Sequence, residues 1–231
     1  MLLKGLQKLT LLDYPGKMAA TVFFGGCNFK CPFCHNASLV IGSRLKDTPT
    51  LPEEEFFDFL KKRQNLLEGV CVSGGEPTLC EELIPFLNKI KDMGFLVKLD
   101  TNGYRPDVLK EAVSLGLVDY VAMDIKNSKE RYAETTGLSD IDIKKIVESV
   151  DFLMSGKVDF EFRTTLVREL HSERDIHSIG AWLRGDEKFF LQTFQDSGDL
   201  ISSRLSGYDK NESEHLLNLL RVYIKNAQIR G

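Results

Sequence analysis

Three cysteines fall within eight residues of this chain, and their type and spacing could hold an iron–sulfur cluster. The run is Cys27-Asn-Phe-Lys-Cys31-Pro-Phe-Cys34, with three residues and then two between the thiols. Thiolates ligate such clusters, and the common ferredoxin runs supply four of them. Three thiolates on one loop would leave one iron free to bind a substrate. The run therefore predicts a cluster that does chemistry as well as carrying electrons.

A zinc site is the main alternative for the same cysteines. A structural zinc ion takes four ligands in a tetrahedron, and His35 could be the fourth. Because His35 directly follows Cys34, it is poorly placed to close the same tetrahedron. The other two cysteines, Cys71 and Cys80, are interpreted as small buried hydrophobic residues. Five cysteines with three clustered fit a reducing compartment better than a disulfide framework.

The composition of the 231 residues indicates an ordinary globular α/β protein. Hydrophobic residues make up 42% and charged residues 28% of the chain, as is usual for soluble domains. The net charge is −4 without any block of like charge, which gives no support to nucleic-acid or membrane binding. The longest apolar run, 18–24, is too short to span a bilayer, and polar residues interrupt any signal-peptide core. We expect a cytoplasmic protein.

Short apolar runs alternate with helical patterns, which predicts βα units and a parallel sheet. The predicted strands are rich in Val, Phe, Ile and Leu, as buried parallel strands are. They cover 19–25, 68–73, 95–100, 119–124, 158–166 and 188–194. The predicted helices are 52–65, 80–93, 106–115, 142–155, 173–184 and 209–226.

Six βα units predict an α/β fold of one domain over 1–231, a partial (β/α)6 barrel of the TIM type. The barrel would occupy 19–200, after an N-terminal extension or hairpin in 1–18 and before a C-terminal helix in 209–226. A doubly wound sheet is the alternative. Polar groups follow successive strands, as in barrel active sites, whereas an open sheet would concentrate them at one switch point. Six strands would leave the barrel open at one side, with edges to be covered by 1–18 or 209–226.

The polar groups at the strand ends suggest a site for a charged ligand. Ser73-Gly-Gly-Glu-Pro77 follows the second predicted strand; its glycines would allow a ligand to approach the backbone closely, although two glycines before Glu-Pro often form only a turn. Asp100 and Asp124 close the next two strands, where carboxylates could hold a hard cation or cap helices. Arg163 lies in an apolar strand and needs an anionic partner.

Segment 26–36 resembles the signature of radical S-adenosylmethionine (SAM) enzymes and, more narrowly, of the activases of glycyl-radical enzymes. The likeness extends from Leu12-Asp-Tyr-Pro-Gly16 to about Arg163. It implies that Cys27, Cys31 and Cys34 hold one [4Fe–4S] cluster whose open iron binds SAM. It also implies reductive cleavage of SAM to a 5′-deoxyadenosyl radical, with electrons from a low-potential donor such as flavodoxin or ferredoxin.

The resemblance also implies the residues that contact the cofactor. They are Asn36, Gly74, Gly75, Glu76, Asp100, Asp124, Lys126 and Arg163. A monovalent cation would lie on Asp100, Thr101, Asp124 and the carbonyl of Ala122. One family member has a cofactor-contacting histidine after its sixth strand, where this chain offers Gln192 and Gln195. The histidines His171, His177 and His215 are interpreted as solvated.

The length between the cysteine run and the glycine pair favours one branch of the activases. Between His35 and Ser73 the only cysteine is Cys71, so no second cluster can form there, unlike in activases of dehydratases and decarboxylases. The expected partner is a glycyl-radical enzyme, the anaerobic ribonucleoside-triphosphate reductase first and a pyruvate formate-lyase type second. The open side of the barrel would admit its glycine loop. The alternatives are a small-molecule enzyme like the deazaguanine synthases and a non-catalytic zinc module.

Overall fold

The computed structural model describes residues 1–186 and 188–230, in which eight strands alternate with helices. The strands are β1 (Leu3–Thr10), β2 (Ala19–Phe24), β3 (Gly69–Gly74), β4 (Leu96–Thr101), β5 (Tyr120–Asp124), β6 (Asp159–Leu166), β7 (Phe189–Thr193) and β8 (Gln228–Arg230). They form one mostly parallel sheet in chain order. The α/β class is confirmed, and the six predicted strands correspond to β2–β7.

The six longer α-helices match the six predicted segments, whereas the sequence analysis predicts none of the three short ones, which have four to six residues. In the described residues the α-helices are α1 (Ala37–Val40), α2 (Gly42–Asp47), α3 (Glu53–Lys61), α4 (Leu83–Asp92), α5 (Pro106–Ser114), α6 (Tyr132–Thr136), α7 (Ile143–Met154), α8 (Glu173–Trp182) and α9 (Lys210–Arg221). The last helix ends at Arg221 instead of 226. None of the helices in 1–186 and 188–230 combines the length and apolar character that a bilayer crossing requires.

The sheet has two strands more than the six that the sequence predicts. β1 pairs antiparallel with β2, from Leu3 opposite Phe24 to Thr10 opposite Ala19, so residues 1–18 supply one strand of a hairpin whose other strand is β2, instead of a hairpin of their own. β8 adds three residues parallel to β7. A strand of three residues is too short to show a pattern, and β1 mixes lysines with apolar residues as edge strands do.

The chain forms two compact units, and the first contains Met1–Asn28, Ser38–Ala122 and Lys145–Asp159. In this unit β2, β3 and β4 pair in parallel, and their central residues are fully buried. Phe86 of α4 meets Phe24 edge to face with ring centroids 5.4 Å apart and stacks on Phe56 of α3 at 5.3 Å. Each fully buried phenylalanine contributes roughly 1.5–3 kcal/mol by leaving water.

The second unit contains Phe29–Ala37, Met123–Lys144 and the described part of Phe160–Gly231. Within it β6, β7 and β8 pair in parallel. Phe162 and Phe189 of the sheet and Leu220 of α9 are fully buried. The single domain over 1–231 stays a prediction.

Asp175 secures the start of α8 through a capping box. Its carboxylate accepts hydrogen bonds from the backbone N–H of Ser172 at 2.8 Å and from Arg131 at 2.9 Å. Burial raises the pKa of Asp175, but Ser172 and Arg131 outweigh it and hold the pKa below its ordinary value of 3.8. The ionised carboxylate therefore stabilises the fold above pH about 4. That contribution is lost as the pH falls through the lowered pKa.

Replacing Asp175 with asparagine should lower the free energy of unfolding by about 2 kcal/mol at pH 7, because the new amide faces donors. The difference from the wild type should shrink below pH 4, where the native carboxylate takes up its proton. Urea unfolding of iron-free protein at several pH values measures both effects. Asp209→Asn is the control, since asparagine caps α9 as well as aspartate. A difference that does not change with pH would contradict the assignment.

Candidate functional site

Residues 74–77, which we call the glycine–acid loop, follow β3 and form hydrogen bonds with the residues that precede the first cysteine. Gly75 donates its N–H to the carbonyl of Phe24, and Glu76 donates to that of Gly26, both at 2.8 Å. A Cβ on Gly75 would lie 2.0 Å from the Gly26 oxygen. Gly74 has φ +122°, and a Cβ there would lie 2.3 Å from the backbone of Phe24. Both glycines therefore permit backbone-to-backbone contact, and their predicted contact with the cofactor stays a prediction.

Glu76 ties this loop to the end of β4. The side chain is 2% exposed, and its carboxylate accepts from Thr78 N–H at 3.1 Å and from the Thr78 hydroxyl. It also accepts from the Thr101 hydroxyl at 2.8 Å and from Asn102 N–H at 2.6 Å. Burial raises the pKa of Glu76 while these donors oppose the rise. A carboxylate has about four lone-pair sites, and four protein donors already meet that of Glu76. The contact of Glu76 with a cofactor stays a prediction.

Two asparagines lie beside Cys27, and the sequence interpretation gave neither a role. Asn102 donates a side-chain N–H to Oδ1 of Asn28 at 2.9 Å, and the same nitrogen lies 3.8 Å from Cys27 Sγ. Backbone N–H of Tyr104 donates to Oδ1 of Asn102 at 3.0 Å. The sequence feature that could have indicated this role is Asn28, an amide side chain that directly follows Cys27 within the cysteine run.

Asp100 has a buried cationic partner that the sequence interpretation also missed. It forms an ion pair with Lys98, whose side chain is 1% exposed, and accepts from the Ser73 hydroxyl at 2.9 Å. A lysine inside an apolar strand is the same signal that marked Arg163. Asp100, Thr101 and Ala122 lie in the first unit and Asp124 in the second, so the cation site stays a prediction.

In the second unit, Asp124 joins two basic side chains. Arg163 Nε donates to one carboxylate oxygen and Lys126 Nζ to the other, each at 3.0 Å. Burial would raise the pKa of Asp124, but the two cations outweigh it and lower the pKa to about 2. Burial lowers the pKa of Lys126, yet Asp124 and Cys31 raise it overall. With one more cation than anion, these three residues could hold an anionic group such as a carboxylate.

The second and third cysteines lie in a turn close to this positive charge. Cys31 is buried, Cys34 is half-buried, and Cys34 N–H donates to the Cys31 carbonyl at 3.0 Å. Burial raises the pKa of the Cys31 thiol to about 11, and Lys126 opposes the rise. Lys126 Nζ also lies 5.8 Å from the ring centroid of the buried Phe33. A cation and an apolar ring beside two thiols would suit a thiolate-ligated cluster.

No disulfide involves any of the five cysteines in the part of the chain that the structure describes, so their thiols are chemically able to ligate a cluster. Cys27 belongs to the first unit and Cys31 and Cys34 to the second. Among the described residues, no group of three or more His, Cys, Asp or Glu side chains has metal-binding geometry. Three cysteine thiols are the right kind of ligand for an iron–sulfur cluster. Ligation of a cluster by Cys27, Cys31 and Cys34 stays a prediction.

His171 is buried, so its interpretation as a solvated residue was wrong. Its Nδ1 accepts the Val167 N–H at 3.1 Å, and its Nε2 lies 2.8 Å from the Lys126 carbonyl. Burial lowers the pKa of His171. The ring therefore supports the backbone of Lys126, a contact between distant parts of the chain. His215 is exposed and lies beside Glu173.

The other predicted residues have ordinary surroundings. Cys71 is fully buried as predicted, but Cys80 is only half-buried, with Sγ 3.2 Å from Glu82. Asn36 is half-buried in the second unit. Gln192 lies in β7 opposite Arg230 of β8, and Gln195 is exposed.

Comparison with known proteins places the chain among similar sequences. The model of the Radical SAM superfamily matches residues 21–176. A Methanocaldococcus jannaschii protein, provisionally named a glycyl-radical enzyme activating enzyme, is 34% identical over 99% of this chain and 95% of its own length. A 7-carboxy-7-deazaguanine synthase of Koribacter versatilis is 26% identical over 72% of this chain and 70% of its own.

The fold is also similar to solved structures. SuiB of Streptococcus suis, bound to the precursor peptide SuiA, superposes with a TM-score of 0.69 at 14% identity over 90% of this chain. The match spans 47% of the SuiB chain, about half its length. At this identity the likeness shows the fold alone, and together with the family match it confirms the predicted partial-barrel fold class.

This chain belongs to the radical SAM superfamily. Within it, the likeness to a glycyl-radical enzyme activating enzyme runs along almost the whole chain, which confirms the resemblance seen in the cysteine run. Membership implies an enzyme with a [4Fe–4S] cluster that uses SAM.

Proposed function

We propose that this protein is a radical SAM activase that removes a hydrogen atom from a glycine of a partner enzyme and leaves a glycyl radical. The observation that carries the proposal is the 34% identity with an activating enzyme over 99% of the chain. We infer a glycyl-radical enzyme as the partner, the anaerobic ribonucleoside-triphosphate reductase first and a pyruvate formate-lyase type second. The electron donor would be a flavodoxin or ferredoxin.

Cys27, Cys31 and Cys34 would hold the cluster. The bound cluster and SAM together supply the 5′-deoxyadenosyl radical that abstracts hydrogen. Lys126 and Arg163, fixed by Asp124 at 3.0 Å each, would attract the carboxylate of SAM through their excess positive charge.

The remaining contacts follow the family pattern. Asn36, Gly74, Gly75, Glu76 and Asp100 would complete the cofactor contacts. Asp100, Thr101, Asp124 and the carbonyl of Ala122 would hold a monovalent cation. Oxygen ligands suit such hard cations.

The partner assignment rests on the spacing between the cysteine run and the glycine pair. Activases of dehydratases and decarboxylases carry further cysteines there for a second cluster. This chain has only Cys71 between His35 and Ser73, and Cys71 is fully buried in β3. The short segment therefore favours the reductase and formate-lyase branch.

The deciding experiment mixes reduced protein and SAM with each candidate partner and records electron paramagnetic resonance spectra. An organic radical doublet with the ribonucleotide reductase supports the first assignment, and one only with a formate-lyase-type enzyme supports the second. A partner whose radical-site glycine is replaced by alanine is the control. If deoxyadenosine forms only with a small metabolite, the activase proposal is wrong.

A small-molecule radical enzyme is the second candidate, because a deazaguanine synthase is 26% identical over 72% of this chain. Adding the substrate of a 7-carboxy-7-deazaguanine synthase to the assay and looking for the deazaguanine product tests it. Metal analysis after anaerobic purification tests the zinc module: equal iron and sulfide support the enzyme, whereas a colourless zinc protein would end both enzyme assignments.

A further inference from the structure

One buried donor beside the first cysteine has no acceptor. The side-chain nitrogen of Asn28, Nδ2, is fully shielded from solvent and has no hydrogen-bond partner. A buried amide N–H without an acceptor is costly and rare. The carbonyl end of the same amide, Oδ1, lies 3.9 Å from Cys27 Sγ. The amide that carries the unpaired nitrogen therefore lies beside a thiol predicted to ligate the cluster.

A chain of hydrogen bonds fixes which end of the Asn28 amide is left over. Tyr104 N–H can only donate, so the atom of Asn102 that it meets at 3.0 Å is the oxygen. Asn102 then presents its NH2 group to Asn28 at 2.9 Å. That contact requires the oxygen of Asn28. A rotated Asn28 amide would place two NH2 groups against each other.

The backbone of Asn102 is itself anchored. Its N–H donates to the buried carboxylate of Glu76 at 2.6 Å, and Glu76 N–H donates to the Gly26 carbonyl at 2.8 Å. The residue before Cys27, the glutamate and both asparagines thus form one hydrogen-bonded ring of contacts within the first unit. A rigid support of this kind holds a donor in one orientation.

We propose that Asn28 donates its free N–H to a sulfur of the bound cluster and thereby raises the cluster's reduction potential. Reduction adds one negative charge to the cluster, so a hydrogen bond to sulfur stabilises the reduced form more than the oxidised form. Asn102 is a positioning residue that keeps the donor pointed at the sulfur. This inference rests on the cluster assigned under the proposed function.

The test is an anaerobic redox titration of the cluster without SAM, followed by electron paramagnetic resonance. In Asn28→Leu the ratio of reduced to oxidised cluster at a fixed potential should fall about tenfold, roughly 59 mV for a one-electron couple. Asn102→Ala should shift the ratio in the same direction by less, and should add little in the Asn28→Leu background. Asn218→Leu, an exposed site on α9, should leave it unchanged.

A second measurement uses the wild-type protein and so does not depend on the variants folding. With asparagine labelled by ¹⁵N in the side chain, the reduced cluster should show a weak nitrogen coupling by electron–nuclear double resonance. That coupling should be lost in Asn28→Leu. If the spectrum of the labelled wild type equals that of unlabelled protein, the proposal is wrong. It is also wrong if Asn28→Leu with a full complement of cluster keeps the wild-type reduction potential. Either result would leave the proposed activase function untouched. A wild type without any cluster would instead overturn the proposed function.

Discussion

Replacing Cys31 with alanine should remove essentially all of the iron–sulfur cluster and all SAM cleavage. The run offers only three thiolates. If one is lost, two of the four irons in the cluster have no protein ligand. Cys31 is the buried thiol of the three and lies near Lys126, so no water-exposed group can easily take its place. Iron and sulfide per protein after anaerobic reconstitution measure the loss.

Cys80→Ala is the matched control for this prediction. Cys80 is a half-buried thiol outside the run, with Sγ 3.2 Å from Glu82, and its loss should leave iron, sulfide and SAM cleavage near wild-type values. Far-ultraviolet circular dichroism shows whether Cys31→Ala keeps its fold. A stoichiometric cluster in a folded Cys31→Ala protein would mean that the three-thiolate assignment is wrong.

The strands and long helices could be predicted because their signals are local. β2, β3 and β5 are mostly apolar runs, such as Ala19–Phe24, and burial on both faces of a parallel strand leaves that pattern. α4 and α9 show buried leucines at helical spacing. Helices of four to six residues, such as α1 and α2, carry too few turns for any periodicity.

The support of the site could not be predicted in the same way, because it depends on contacts between distant residues. His171 meets the Lys126 carbonyl across 45 positions of the chain, and Asn102 meets Asn28 across 74. The residues next to His171 or Asn102 in the sequence give no indication of such a distant partner. A charged residue in an apolar strand is the exception, since both Arg163 and Lys98 have carboxylate partners. That pattern predicts a buried ion pair without naming its anion.

Gly75→Ala should destabilise the first unit by about 3 kcal/mol and also lower cluster content, a larger effect than one added methyl usually has. The new Cβ would lie 2.0 Å from the carbonyl oxygen of Gly26, a backbone atom that cannot move without its chain. Relief of the clash would break the hydrogen bond from Glu76 N–H to that oxygen. It would also displace Cys27, the next residue. Urea unfolding of iron-free protein and iron content after reconstitution measure the two effects.

Gly42→Ala is the matched control, because a Cβ at Gly42 meets nothing within 4 Å. Gly42 begins α2, where alanine reduces the freedom of the unfolded chain and should stabilise the fold by up to about 1 kcal/mol. The same methyl group thus has opposite effects at the two glycines. If Gly75→Ala matched Gly42→Ala in both stability and iron content, the close approach of the glycine–acid loop to the cysteine run would not be what requires glycine there.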